Sequence, residues 1–247
     1  MHDPMTERRT AIVTGAGKRV GACLAGALIN DGWRVIAHVH HEDDDVPAGA
    51  DKVVADLSRP DCARVIFAAA DGPVSLLVNN AARFAWDAFG EFSADEFDKH
   101  MAVNARAPAL LTDRFARAHE KGNDALVVNL LDSKLTAPNP DYLSYTVSKQ
   151  ALAGLTELAA RALAPQGIRV NAIAPGLMLR SSGQSEENFE AMHANNPLRR
   201  GVDPHHIADA LRYLIGATRV TGQTLLVDAG HNFLALDRDV QFLGGER

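Results

Sequence analysis

Apolar residues alternate along this chain between two rhythms. Ala11-Ile12-Val13 is a short unbroken apolar run of the buried-strand type, and Val20 to Ile29 carries apolar residues at helical spacing, closed by Asp31-Gly32. Arg34 to Val39 reads as a second strand, Lys52 to Ala55 as a third and Val74 to Val78 as a fourth, with an Ala-rich helix from about Arg59 to Ala70 before it. Ser93-Ala94-Asp95-Glu96 is a capping box opening a long helix through about His119, and Ala125 to Leu131 is a fifth strand. Tyr142 to Ala164 reads as a long helix and Ile168 to Ile173 as a strand; Asp203-Pro204 supplies an N-cap with Pro at N1, and Thr224 to Val227 is the last strand. The alternation predicts an α/β fold: one doubly wound Rossmann domain, a parallel seven-stranded sheet with helices on both faces. Residues 1–9 read as a flexible lead-in, 10–232 as the domain and 233–247 as a tail. The unpatterned stretch from Ala174 to about Glu186 follows a strand's carboxyl end, where such folds bind ligands, and is expected to form a mobile substrate lid.

At 247 residues with 47% hydrophobic content, the chain can bury one large core. No apolar run approaches the ~18 residues a membrane span needs, and no signal-type segment opens the chain, so cytoplasm is the expectation. A net charge of −6 with scattered basic residues argues against nucleic acid as a partner. Cys23 and Cys62 match no metal-ligand spacing and are expected as buried free thiols. His38-Val39-His40-His41 lacks an organised carboxylate or Cys set nearby, which favours pocket chemistry over a metal.

Tyr145 and Lys149 stand one helical turn apart, which puts a phenol and an ammonium on one face. A nearby positive charge lowers a phenol's pKa from ~10 and makes proton transfer feasible near neutrality. Thr14-Gly15-Ala16-Gly17-Lys18-Arg19-Val20-Gly21 joins the first strand to its helix, where free N–H groups and the helix dipole suit a pyrophosphate. The spacing is not G-x-G-x-x-G, so a tight connection is the bland alternative.

With these motifs the chain resembles the short-chain dehydrogenase/reductase family from about Thr10 to Gly230. Thr14, Gly15 and Gly21 match its first turn, with Arg19 in place of the middle glycine, and Lys18 and Val20 fall within it. The resemblance implies an adenine-side Asp56 followed by Leu57, a strand end Asn79-Asn80-Ala81, a mid-helix catalytic Asn104 holding a relay water, and a nicotinamide-side Pro175-Gly176. It also implies a homotetramer paired through the helix around Tyr142 to Ala164 and the long helix before it. Tail residues from Phe233 onward either reach a neighbour's site or are disordered. Arg19, His38, His40 and His41 can surround an NADP phosphate, and Glu42-Asp43-Asp44-Asp45 reads as an acidic surface loop; the expected cofactor is NADPH rather than NADH.

Thirteen residues before the tyrosine the family pattern has a Ser that donates to the substrate carbonyl; here that place holds Asp132, with Ser133 next to it. An ionised carboxylate repels a developing oxyanion but pairs with a protonated nitrogen, which suggests an imine-like C=N substrate. Arg19, Asp132, the His-rich strand end and Phe84, at the place of a pterin-stacking aromatic, are similar to the pteridine and dihydromonapterin reductase branch. Ala82 and Met178 stand where that branch carries polar serines. The resemblance implies a pterin reductase in which Arg19, Phe84, Asp132, Tyr145, Leu177 and Met178 meet the substrate. A general carbonyl reductase or alcohol dehydrogenase of the same family, with Ser133 as the catalytic hydroxyl, and a non-catalytic nucleotide-sensing scaffold are the alternatives.

Overall fold

The computed structural model describes residues 9–120, 122–180 and 184–243. Seven strands, β1 (Thr10–Thr14), β2 (Arg34–Val39), β3 (Asp51–Val54), β4 (Val74–Asn79), β5 (Ala125–Leu130), β6 (Ile168–Pro175) and β7 (Thr224–Val227), pair in the order β3-β2-β1-β4-β5-β6-β7. Every pairing is parallel, as the strand–helix alternation predicts. β1, β5 and β6 are buried along their whole length, which is why β1 and β5 read as apolar runs, whereas β6 also buries Arg169 and Asn171, satisfied by the Leu214 and Val220 carbonyls.

Helices α1 (Arg19–Asn30) and α7 (Pro204–Gly216) cover one face, packing Leu24, Leu28, Leu211 and Leu214 against the sheet. The other face is covered by α2 (Cys62–Phe67), α4 (Ala107–Ala118) and α5 (Leu143–Leu163), with Phe67, Leu111 and Phe115 at its centre. The strand order reverses between β1 and β4, and a crevice opens there at the carboxyl ends of the strands. Asn80 fixes the splay: its N–H bonds Thr14 Oγ1 at 3.0 Å and its Nδ2 bonds the Thr14 carbonyl at 2.8 Å.

Four expectations are corrected. The helix expected over 59–70 contracts to Cys62–Phe67, because Pro60 disfavours a helical Arg59 and the last turn tightens through Ala69→Ile66 and Ala70→Phe67 bonds. The helix opened by Ser93 does begin as α3 (Ala94–Met101), but gives way to a π segment, Ala102–Arg106, before α4. Ala107 N–H reaches back five residues to Ala102, and Pro108 has no N–H to return to Asn104, so the regular ladder breaks around that residue. Cys62 is buried, whereas Cys23 is half-buried on α1. The stretch read as a lid is shortened at its start, where Ala174 and Pro175 still belong to β6; residues 181–183 lie outside the described residues, and α6 (Glu186–His193), which Ser185 caps by accepting from Asn188 N–H, begins at the stretch's expected end. At the start of α7, Asp203, His205 and His206 bring ligand-type atoms within 4.8 Å of one another. His206 Nδ1 is spent on the Asp203 N–H, and the positive end of the helix opposes a cation there. Among the described residues, no helix is long and apolar enough to cross a membrane.

Candidate active site

At the crevice lies a cleft of about 770 Å³. Its first wall is the turn from β1 to α1. Gly15 takes φ +64°, and a Cβ on Gly21 would stand 2.0 Å from the Gly15 carbonyl oxygen, so the turn closes only without a side chain there. Lys18, the N-cap of α1, makes no side-chain cap, and no acid sits in the first turn. The leading N–H groups and the positive helix end therefore face the cleft with Lys18 and Arg19 beside them, a donor set suited to a phosphorylated ligand.

Arg19 stands at φ 53°, the left-handed region that favours glycine. A non-glycine residue there costs roughly 1–2 kcal/mol. A glycine takes this conformation without that cost. Its Nη1 lies 3.4 Å from the Arg180 carbonyl, across the cleft mouth.

His38 does not serve as a cation. It is 2% exposed; its Nδ1 accepts the Gly15 N–H at 3.1 Å and its Nε2 donates to the Ala55 carbonyl at 3.0 Å, which fixes a neutral ring. Burial holds its pKa below the usual imidazole range. This corrects the phosphate-binding role expected of it: His38 staples the turn after β1 to the chain leaving β3. His40 and His41 are exposed on the cleft wall, their ring centroids 4.1 Å apart. The acidic segment is exposed at Glu42, Asp43 and Asp45, as expected of a surface loop, and it also borders the cleft. Asp44 lines the cleft, its carboxylate accepting the His41 N–H at 2.9 Å, and Asp45 presses its carbonyl to within 2.7 Å of where a Gly17 Cβ would be.

Opposite stand Asp56, whose carboxylate accepts the Ser58 N–H at 2.8 Å, then Leu57, Asn80 and Ala81. Pro175, Gly176, Leu177 and Met178 close the far side; a Cβ on Gly176 would come 2.8 Å from Asp228 Cα. Ala82 and Met178 both face the cleft, so the substrate half lacks hydroxyls at those places. Of the expected site residues, Asn104 alone is off the cleft wall. It is fully buried, accepting the Arg83 N–H at 2.7 Å and donating to the Arg83 carbonyl and to Ser148 Oγ, each at 2.9 Å. Its side chain therefore ties α5 to the loop after β4.

At the centre, the Tyr145 hydroxyl donates to Asp132 Oδ2 at 2.9 Å, and Asp132 Oδ1 accepts the Lys134 N–H at 2.9 Å. Among the described residues, no hydrogen bond joins Tyr145 to Ser133. Lys149 Nζ donates to the Leu130 carbonyl at 2.6 Å and lies 5.8 Å from the Tyr145 ring centroid. The expected lowering of the tyrosine pKa is corrected. Burial first, and then the adjoining Asp132, raise Tyr145 well above the usual phenol range. Burial also raises Asp132 and brings Lys149 down to about 8, against which Asp132 pulls upward. In the free protein the tyrosine is thus held protonated, a proton donor facing a carboxylate.

Phe84 stacks on Tyr142 at 4.3 Å between centroids and meets Tyr145 edge-on at 4.8 Å. Sequence reasoning missed the groups that set this arrangement. Tyr142 is the N-cap of α5 at φ 54° and supplies no side-chain cap. The buried Asp87 caps the helix from another segment, accepting the Ser144 N–H at 2.9 Å and the Ser144 hydroxyl. No local spacing signals a cap from 57 residues away. Lys134, Asp141 and the chain from Ala235 onward were missed for the same reason.

The profile described as Enoyl-(Acyl carrier protein) reductase matches residues 15–232. The chain belongs to the short-chain dehydrogenase/reductase family of oxidoreductases. It is 32% identical over 240 residues to the L-xylulose reductase of Bos taurus, covering 92% of this chain and 97% of the relative. It is also 32% identical over 279 residues to pteridine reductase 1 of Leishmania tarentolae, covering 90% and 96% respectively. A crystal structure of FolM alternative dihydrofolate reductase 1 from Brucella suis in complex with NADP superposes with a TM-score of 0.85 at 33% identity, over 93% of this chain and 97% of the other.

Proposed function

We propose that the protein is an NADPH-dependent reductase of a pterin, a dihydropterin or a related flat C=N heterocycle. The observation that carries this reading is the Tyr145–Asp132 pair: where a carbonyl reductase needs a hydroxyl donor, this site offers a carboxylate. Similarity to a pteridine reductase and to FolM supports the same reading. NADPH, when bound, supplies the hydride. The uncapped start of α1 with Lys18 and Arg19 would hold its phosphates, Asp56 and Leu57 would border the adenine, and Asn80, Ala81, Pro175 and Gly176 would border the nicotinamide half. Asp44 stays ionised, its carboxylate held by the His41 N–H and by the charge of Lys18, so Lys18 and Arg19 must offset it at the 2′-phosphate. Phe84 stacks on the ring. Tyr145 gives its proton to the ring nitrogen while Asp132 pairs with the positive charge that nitrogen acquires. The Lys149 ammonium supports the phenolate left behind until solvent returns a proton. The family's homotetramer, joined through the outer faces of α4 and α5, belongs to the same reading; Leu158 stands 68% exposed on α5.

Calorimetric titration of the protein–NADP⁺ complex with a pterin tests substrate recognition apart from turnover. Binding is expected, weakened roughly tenfold in Phe84→Ala through loss of ring stacking. Absence of pterin binding by the wild-type complex would overturn the reading. Arg19→Gly separates strain from function: the variant is expected to melt higher, by relief of roughly 1–2 kcal/mol of backbone strain, yet to bind NADPH at least about tenfold more weakly through loss of a phosphate contact. Fluorescence titration and thermal melting read the two effects; unchanged NADPH affinity would remove Arg19 from the phosphate site.

A further inference from the structure

We propose that residues 235–242 form the selective outer wall of the substrate half of the cleft, admitting a flat heterocycle with a short uncharged substituent and excluding long or charged ones. The identity of that heterocycle rests on the pterin reading above. After β7, the buried Asp228 turns the chain back by accepting the Gly230 and Asn232 N–H groups, each at 2.9 Å. The chain then lies over the cleft and is held at four points. Asp141, 4% exposed, accepts both Arg238 Nε and the Asp239 N–H at 2.8 Å. Lys134 reaches the Asp141 carbonyl at 2.5 Å and stands 3.6 Å from the Asp239 carboxylate. The Tyr142 hydroxyl donates to Gln241 at 2.5 Å, and Asn188 of α6 donates to the Leu243 carbonyl at 2.7 Å.

Lys134, Asp141 and Tyr142 fall within the segment 132–145 that carries Asp132 and Tyr145. Wall and reacting groups are therefore fixed by one stretch of backbone. Tyr142 couples them further, stacked on Phe84 on one side and 6.3 Å from the Phe242 ring on the other. The charges of the latch balance, Lys134 and Arg238 against Asp141 and Asp239, with Arg238 also lying over the Phe242 ring at 5.0 Å. What the wall adds to the cleft lining beyond this balanced set is apolar: Ala235, Leu236 and Val240. A charged substituent would meet apolar side chains and charges already paired within the latch, and a long one would meet a latched chain. This corrects the expectation for the tail, whose described part covers its own site.

The test uses Leu236→Ala/Val240→Ala, which widens the wall and leaves the latch intact, and Asp141→Asn, which weakens the latch. Each is assayed as full-length protein on 6-substituted dihydropterins of increasing length, dihydrofolate included, and in parallel on aryl ketones of increasing chain length. NADPH affinity, read by fluorescence, reports folding of the cofactor half. The proposal expects the long-to-short ratio of kcat/KM to rise about tenfold or more in the double variant, with NADPH affinity retained. Asp141→Asn should move the ratio the same way. A ratio that stays at the wild-type value in the double variant, with NADPH still bound, would overturn the wall even if pterins are good substrates. Relief of a length limit seen on ketones alone would uphold the wall while sinking the pterin assignment.

Discussion

Tyr145→Phe is expected to slow reduction of every substrate by about 10²–10⁴-fold, the range general-acid catalysis supplies, with little change in NADPH affinity. The substitution removes one oxygen. The ring keeps its edge contact with Phe84 and its place on α5, so the cleft retains its shape. What disappears is the hydroxyl that donates to Asp132 and that the buried site holds protonated. Single-turnover kinetics of NADPH oxidation, paired with a binding titration, separate the chemical step from cofactor capture. Near-normal turnover would remove Tyr145 as proton donor and with it the mechanism.

Asp132→Ser is expected to split the two substrate classes. Reduction of a dihydropterin should fall by about 10²-fold or more, because the protonated nitrogen loses its counter-charge at a buried site. Reduction of simple ketones should rise, since a serine hydroxyl at this place can donate to a developing oxyanion. Stability should move as well. Burial raises the Asp132 pKa, so between the unfolded carboxyl value and the raised folded one the native state binds more protons than the unfolded state, and stability falls as pH rises through that window. Removing the carboxylate should therefore stabilise the protein at neutral pH. The gain should shrink on acidification towards the ordinary aspartate range, where the carboxyl is protonated in both states. Denaturant melts at several pH values and kcat/KM on both classes read the outcome. Equal losses on pterin and ketone would mean that Asp132 only caps the turn at Lys134.

The strands were legible because a parallel sheet covered on both faces turns each strand into an apolar run, as at Ile12-Val13 and Val127-Val128, both pairs fully buried. Tyr145, Lys149 and the glycine turn were legible because helix period and backbone sterics dictate their spacing. Other features have no one-dimensional trace. Asn104 sits at a π segment that a period of 3.6 does not reveal, and the nearest sign of it is Pro108. The direction of the Tyr145 shift depends on burial and on Asp132, thirteen residues away, so the lysine one turn on was a misleading guide. His38 looked like a phosphate ligand by composition, yet its ring is consumed by Gly15 and Ala55. The tail gave no pattern because polar latches between distant segments leave none.

The most direct measurement compares kcat/KM of the wild-type protein for dihydrobiopterin and dihydromonapterin with that for a panel of small ketones, using NADPH and then NADH. The account predicts turnover concentrated on the pterins and a preference for NADPH. Turnover on ketones with none on pterins would contradict it, and would assign the oxyanion role to Ser133 or another donor in the cleft.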